Sequence, residues 1–577
     1  MINEEKFKGL KSQDPKMMAY LFARKYGEKT DGFFDIFKAI SNLDIRIALA
    51  DYGVNEDGEP LECCQFVPRS SDERGYIVLS NSISIQRLRF NSAIMLFCAI
   101  NNQKKIETYQ RGVSEKSFHQ AKLFAVNLLL PEKDLKEYIY QRDENGNYLF
   151  LNENGEISLD NINHVAAHFG TPYKTTASRI LNVFNNIEGI KTKEQLNKAI
   201  QDRKYVIALD ESSKKKISAM YAQLINSLRY LKVEKTKTVT WEKSLRECVK
   251  NEALLEGVIK DTKGVNYLLQ IFAKDGAIDG EGYLHGKNLD KAIRLSEEQL
   301  VVLGNYELLK GIAYEGAAYY TSDNKQVVEE SINKAGYGLA KEEIKQLLID
   351  IGLKYLDGDL TYKEAEDLLE VTCHMSEREK SLFMNNLLGF DHYTIRRFHK
   401  TLFKYSLEQA HARGLYRFTK NMVPGANFDT AEANEIDYVM EDLNYDIIDL
   451  LKNKDEMSNA EYINRVNELV ARFIRIHPFE DGNGRVSRAI TNFLYKKKHL
   501  PFIFINADHQ RDAYIAALKQ IDFDGIKYKR PNIDMTGINL VMYKAIQTSY
   551  SNIYEGSKML TNPEKEISRN RLVKGRK

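Results

Sequence analysis

Cysteine is scarce, at five in 577 residues. Two of them, Cys63 and Cys64, are adjacent, so the chain has neither a disulfide framework nor a paired zinc motif. That usage fits a reducing compartment, and a cytoplasmic location is expected, with delivery into another cell left open. Proline is scarce too, at ten. Together with long amphipathic stretches this predicts a mainly α, multidomain chain. No uninterrupted apolar run is long enough to span a bilayer. Met1-Ile-Asn-Glu-Glu-Lys lacks a basic region followed by an apolar stretch, so neither membrane anchor nor secretory signal is expected. A one-sided charge is missing as well: 83 basic residues face 81 acidic ones, a formal net charge of +2. No global field therefore points to nucleic acid. What is present, 43% hydrophobic and 28% charged residues, reads as globular with ample material for cores.

Against that background one run stands out, His477-Pro-Phe-Glu-Asp-Gly-Asn-Gly-Arg-Val-Ser-Arg488. Upstream, Ile463, Val466, Leu469, Val470, Phe473 and Ile474 recur at helical spacing, so a helix with a buried face delivers His477. Pro478 bars a simple continuation of that helix. Downstream, Val486, Ala489, Ile490, Phe493 and Leu494 resume the period, which puts Gly482, Asn483 and Gly484 at the start of a second helix. A glycine-flanked turn opening a helix aims free backbone N–H groups at one point, where the helix dipole favours an anion. Arg485 and Arg488 lie on neighbouring positions of one face and can grip phosphate oxygens. Asp481 is an oxygen ligand of the kind magnesium takes while bridging protein to phosphates. The run reads as a polyphosphate cradle with a candidate base, His477, beside it.

These residues resemble the signature of the Fic family, His-x-Phe-x-(Asp/Glu)-Gly-Asn-Gly-Arg-x-x-Arg, at every specified position. The resemblance extends to His399-Lys-Thr-Leu-Phe403 and Arg413-Gly-Leu-Tyr-Arg417, similar to the family's preceding helix and the start of its flap. Asn421 to Phe428 is similar to the flap that docks a target side chain, and Gln510 to Tyr514 to the element behind the nucleotide base. It implies an all-helical core with a β-hairpin flap over the last third of the chain; the residues before it read as a small α+β N-terminal domain and a helical middle region. It also implies transfer of AMP from ATP to a Ser, Thr or Tyr hydroxyl of a target protein, with pyrophosphate released. His477 would be the base and Asp481 the magnesium ligand. Gly482, Asn483 and Gly484 would form the anion hole, Arg485 would hold the β-phosphate and Arg488 the γ-phosphate. Phe479 would anchor the loop and Tyr514 border the adenine. Doc-like relatives, which phosphorylate, depart from the Gly-Asn-Gly-Arg pattern present here. Transfer of UMP or phosphocholine stays open, because head-group selection lies outside the motif.

Many Fic proteins carry a (Ser/Thr)-x-x-x-Glu-(Gly/Asn) segment whose glutamate pairs with the motif's last arginine. Seven places in this chain have Glu followed by Gly or Asn, and only Ser551-Asn-Ile-Tyr-Glu555-Gly556 has Ser or Thr four residues earlier. Ile538, Leu540, Val541, Tyr543, Ile546 and Tyr550 predict a helix leading into it. The resemblance implies autoinhibition, with Glu555 on Arg488 where the γ-phosphate belongs. Asn186-Ile-Glu188-Gly189, and Glu315-Gly316, are the runner-up sites.

Before the motif region, the chain divides into residues 1–195 and a helical connecting region 196–380; the Fic region with its inhibitory helix takes 381–560 and a basic tail 561–577. Ile45-Arg-Ile-Ala-Leu-Ala and Gly75-Tyr-Ile-Val-Leu-Ser read as short strands. Arg89 to Ala93 and Phe124 to Pro131 are similar to the ImmA/IrrE-type metallopeptidase domain. Ile94, Met95 and Cys98 stand where that family has His-Glu-x-x-His, so the resemblance implies a degenerate, non-proteolytic fold. His164 and His168, one helical turn apart, lack the glutamate of a zinc helix and read as structural. Asp275 to Gly286 resembles a calcium loop, but Ala277 replaces a ligand and Gly286 the bidentate glutamate, so a plain loop is expected. The tail ending Arg569-Asn-Arg-Leu-Val-Lys-Gly-Arg-Lys577 reads as disordered. Two functions follow: an autoinhibited adenylyltransferase, including the bacterial toxins and injected effectors of this kind, or a regulatory protein whose transfer is turned on itself. A target protein is the expected partner; self-modification and a homo-oligomer stay open.

Overall fold

The computed structural model describes residues 14–30, 33–50, 64–67, 75–101, 106–107, 115–202, 211–228, 324–405, 411–503, 509–530 and 532–561, with residues 10, 52 and 505 and short pieces between 277 and 308. The side chains of 552–561 and the basic tail from 562 lie outside this description. Contacts group the chain into two compact units, one of Met1–Val233 with Gln547–Lys577, the other of Glu234–Ile546.

The first unit is α+β. Strands β1 (Arg46–Ala50), β2 (Cys64–Val67), β3 (Tyr76–Ser80) and β4 (Ile106–Glu107) form one sheet in the order β1-β3-β2-β4. β1 pairs parallel to β3, while β2 runs antiparallel to β3 and β4. The two expected strands are β1 and β3, whose Ile47, Leu49, Ile77 and Leu79 are buried. Of helices α1 (Pro15–Tyr26), α2 (Ile85–Ile100) and α3 (Glu115–Leu129), α2 packs on the sheet, α3 on α2, and α1 on α3. Asp14 and Ser84 cap the first turns of α1 and α2 by accepting backbone N–H groups. Ile94, Met95 and Cys98 are all buried on α2, and desolvation pushes the Cys98 thiol up to about 12. Arg89 of α2 is fully buried, and its guanidinium donates to the Phe34 and Gly170 carbonyls and to Gln223 Oε1. A buried charge persists only with such partners. On α4 (Asn161–Phe169), His168 stacks on Tyr138 at 3.7 Å and its Nδ1 lies 2.8 Å from Lys216 Nζ of α5 (Glu211–Ser227), a packing arrangement.

In the second unit the piece resembling a calcium loop folds as antiparallel strands β5 (Ala277–Ile278), β6 (Tyr283–His285) and β7 (Ile293–Arg294). The plain loop expected there is thus a small sheet. Asp279 Oδ1 accepts from the N–H groups of Glu281 and Tyr283, and Oδ2 meets His285 at 2.7 Å, so both oxygens serve the turn. The other regular elements described in this unit are helices. The helices that build the site are α6 (Thr394–Leu402), α7 (Ile436–Lys452), α8 (Asn459–Ile476), α9 (Asn483–Lys497) and α10 (His509–Leu518). Helix α11 (Thr536–Thr561) begins in this unit, and residues from Gln547 onward belong to the first.

α8 and α9 carry the core. Ile463, Val466, Leu469, Val470 and Phe473 of α8 and Val486, Ala489, Ile490, Phe493 and Leu494 of α9 are buried as their spacing predicts. Three polar pairs cross this core: Tyr462 donates to the Leu494 carbonyl, Asn467 to Asn539, and Tyr543 to Asn464. Arg472 ties α8 to α7 by gripping Asp442 and Asp446.

Candidate catalytic and phosphate-binding site

α8 starts at a capping box in which Ser458 and Glu461 satisfy each other's backbone N–H groups. It stops at His477, which takes a left-handed conformation, φ 51° and ψ 58°. Such a conformation costs a non-glycine residue about 1–2 kcal/mol, so something must hold it. Arg417 does. It is buried, 3% exposed, and its Nε donates to the His477 carbonyl at 2.7 Å. Its Nη2 reaches the Ile476 and Ala431 carbonyls and its Nη1 the Thr419 carbonyl. The Arg417 backbone N–H donates to the Pro478 carbonyl at 2.8 Å. A cation against the last carbonyls of a helix is also favoured by the helix dipole.

The His477 imidazole is half-buried, and its Nδ1 is buried without a complete hydrogen bond. Desolvation lowers its pKa below the ordinary histidine value. The Ile474 backbone opposes this, the Arg417 charge adds to it, and Asp481 opposes it. His477 is therefore neutral near pH 7, able to accept a proton.

After His477 the chain turns under Phe479, which is fully buried and stacks on His399 of α6 at 4.0 Å. His399 Nδ1 accepts from the Gly414 N–H at 2.9 Å, which leaves Nε2–H to donate to the Asp481 carbonyl at 3.2 Å. Burial lowers the His399 pKa to about 4, so this neutral tautomer persists. Asn483 closes the loop from the other side, accepting from the Phe479 N–H and donating to the Phe479 carbonyl, at 3.0 and 2.8 Å. Gly482 sits at φ 78°, and a Cβ there would lie 2.5 Å from the Phe403 ring, so only glycine fits.

The helix N-terminus that results is open. The backbone N–H groups of Asn483 and Gly484 have no partner among the described residues, since α9 begins there. The Gly482 N–H, read from sequence as part of the anion cradle, is taken instead by Asp481 Oδ1 at 2.5 Å. Gly484 is exposed, and the nearest atom to a Cβ placed on it is an Arg488 nitrogen at 3.7 Å, which leaves room for a group to approach the amide. Arg485 pairs with Asp481 Oδ2 at 2.8 Å. Arg488 has no carboxylate partner among the described residues and keeps exposed surface. Protein packed round the rest of its head group lowers its pKa by desolvation; Tyr514 opposes the shift, while Arg485 and Arg511 add to it. One open side suffices for access, so crowding and exposure are compatible. Tyr514 of α10 is buried beside Ser487 and Arg488.

The flap is where the structure departs from expectation. Asn421 to Phe428 forms no strand pair. Pro424 lacks a donor, and a turn closes from the Ala426 N–H to the Val423 carbonyl. Side chains tie the segment instead: Thr430 Oγ1 donates to the Asn421 carbonyl, Asn421 to the Glu480 carbonyl and Asn427 to the Lys519 carbonyl. Phe418 and Met422 stand out from it, 84% and 78% exposed. The positioning roles of Arg417 and His399 were not read from the sequence. Only the likeness of their segments to a flap and its preceding helix marked them. Of the expected inhibitory residues, Ser551 is buried with its Oγ unpartnered, and the side chains of Glu555 and Gly556 lie outside the described residues.

Metal chemistry is compatible with this arrangement. No group of three or more His, Cys, Asp or Glu side chains converges among the described residues. Magnesium beside phosphates needs only one or two protein carboxylates, and Asp481 offers one at 56% exposure.

Residues 389–495 match the model of the Fic/DOC family. A Fido domain-containing protein of Dictyostelium discoideum is 33% identical over 85 residues, 15% of this chain and 55% of that protein. The chain thus spans about half the length of that curated relative. Among solved structures, a Fic domain containing signaling protein from Bacteroides thetaiotaomicron is 20% identical, with 45% of this chain and 97% of that one covered and a TM-score of 0.25. Fic-1 from C. elegans is 12% identical over 75% of this chain and 99% of its own, with a TM-score of 0.24.

Proposed function

We propose that this chain, which carries a Fic/DOC-type domain at residues 389–495, is a protein adenylyltransferase that uses ATP and a Ser, Thr or Tyr hydroxyl of a target protein. The observation that supports it best is the unpartnered pair of N–H groups at Asn483 and Gly484, flanked by Arg485 and Arg488 and preceded by a neutral His477. Such donors are fixed before any charge develops, which is worth ~3 kcal/mol for each.

His477 takes the proton of the acceptor hydroxyl as its oxygen attacks the α-phosphorus. The bond from that phosphorus to the oxygen bridging the β-phosphate breaks, and pyrophosphate leaves. The Asn483 and Gly484 amides bind the anionic oxygens, Arg485 the β-phosphate and Arg488 the γ-phosphate. Asp481 would hold magnesium, which neutralises charge on the transferred and leaving groups when bound. Tyr514 closes the nucleotide side of the site next to Arg488.

The Ser551 to Gly556 pattern supports an inhibitory role for Glu555. Full-length protein carrying Glu555→Gly, given α-labelled ATP and a cell lysate, is expected to label distinct target bands more strongly than wild type. Added His477→Ala is expected to abolish the label. Equal labelling by wild type and Glu555→Gly removes the inhibitory role. Label confined to the protein itself favours self-modification, and transfer from γ-labelled ATP instead makes the chain a kinase.

A further inference from the structure

The Arg417 side chain bonds both ends of the flap and the backbone of the proposed base. Its guanidinium meets four carbonyls: His477 at 2.7 Å and Ile476 at 3.3 Å on the end of α8, Thr419 at 2.6 Å and Ala431 at 2.5 Å at the two ends of the flap. Its own N–H donates to Pro478, one residue past the base. The flap has no strand ladder to hold it, and its other ties, Thr430 to Asn421, Asn421 to Glu480, Asn427 to Lys519 and the Lys420–Glu432 ion pair, come from side chains. The exposed Phe418 and Met422 are carried on the segment these bonds fix.

We infer that Arg417 is a positioning residue, a clamp that sets the acceptor-binding flap and the His477 backbone in one fixed relation, so that the target hydroxyl arrives aligned with the base. The inference rests on the transferase reading of the site. The planar fork of arginine suits this task because it reaches several carbonyls in one plane; the point charge of lysine cannot reach four at once. No carboxylate bonds Arg417 directly among the described residues; four carbonyls take its guanidinium, and the Glu432 charge acts on it only through space. Such a charge is costly to bury and is retained for geometry rather than for strength. A clamp of this kind acts on the transfer step and leaves nucleotide binding alone, because Arg417 contacts none of the phosphate-side groups Asn483, Gly484, Arg485 or Arg488.

The test uses the full chain with Glu555→Gly, comparing Arg417→Lys, Arg417→Gln and His477→Ala. Arg417→Lys is expected to lower kcat for the protein target about a hundredfold, the loss that small misplacements cause, with the KM for ATP within about twofold. The two charged groups that act on the His477 ring are Arg417 and Asp481. Arg417→Lys keeps its charge, so the acid limb of kcat/KM stays where it was. Arg417→Gln removes that charge, and the limb moves up in pH. Thr430→Val, which loosens the flap without touching the guanidinium, is expected to lower kcat in the same direction with an unchanged melting temperature. The clamp is overturned if Arg417→Lys, folded by circular dichroism, transfers like its parent, or if its loss lies in the KM for ATP. Undiminished transfer by His477→Ala would overturn the transferase reading instead, which separates the two failures.

Discussion

Asp481 and Arg485 neutralise each other across 2.8 Å, yet the proposed chemistry needs both for other partners. A metal on the carboxylate and a phosphate on the guanidinium must together replace the pair, so the two bindings are coupled. Asp481 is 56% and Arg485 21% exposed, so solvent screens the pair and it is worth about 1 kcal/mol at most. Asp481→Ala should therefore raise the affinity for ATP without metal by no more than roughly fivefold and abolish the gain that magnesium gives wild type. Calorimetric titration with and without magnesium checks this, and weaker metal-free binding by the variant would contradict it. The motif residues at this scale were legible because their spacing on a helix start encodes their placement. His399 and Arg417 were not. Their contacts join Asp481 and His477 across 82 and 60 residues of chain, and no local period records such a meeting.

At the scale of elements, the loop between α8 and α9 is held by a buried neutral histidine. The His399 pKa falls from 6.5 to about 4 on folding, through desolvation. As pH drops, the unfolded chain takes its proton first. The stability contributed is complete above pH 6.5 and drains as pH falls toward 4. Between pH 7 and pH 5 this amounts to roughly 2 kcal/mol. Urea unfolding should show wild type losing that much more than His399→Gln over the same interval; equal losses would mean the histidine is not buried in this form. Gly482 makes the same loop intolerant of a side chain. Gly482→Ala meets the Phe403 ring at 2.5 Å in a left-handed conformation, and overpacking together with backbone strain should cost about 2–4 kcal/mol. A thermal melt within 1 °C of wild type, with ~1 kcal/mol worth about 1–2 °C in a unit of this size, would contradict it. Helices α8 and α9 followed from apolar spacing, with Pro478 and the Gly-Asn-Gly turn marking the break between them. The flap did not follow, because a hairpin depends on pairing across the turn, and Pro424 with its neighbours gives the pairing up to side-chain ties.

At the scale of the molecule, the sequence made legible a mostly helical chain with a small sheet near its start, since β-branched alternation marks β1 and β3 and helical spacing marks α8 and α9. The strands at Ala277–Ile278 and Tyr283–His285 were missed, being too short for any period to register. No described helix is long and apolar enough to cross a membrane. In the first unit, Ile94, Met95 and Cys98 lie buried where the metallopeptidase likeness would call for ligands and a base, and its Arg89 serves as a packing hub. The proposed chemistry lies in the second unit, around one helix start. A crystal structure of the His477→Ala chain with magnesium and ATP addresses that claim most directly. The account predicts phosphate oxygens on the Asn483 and Gly484 N–H groups, Arg488 on the terminal phosphate and the metal on Asp481. Phosphates bound away from the start of α9 would contradict it.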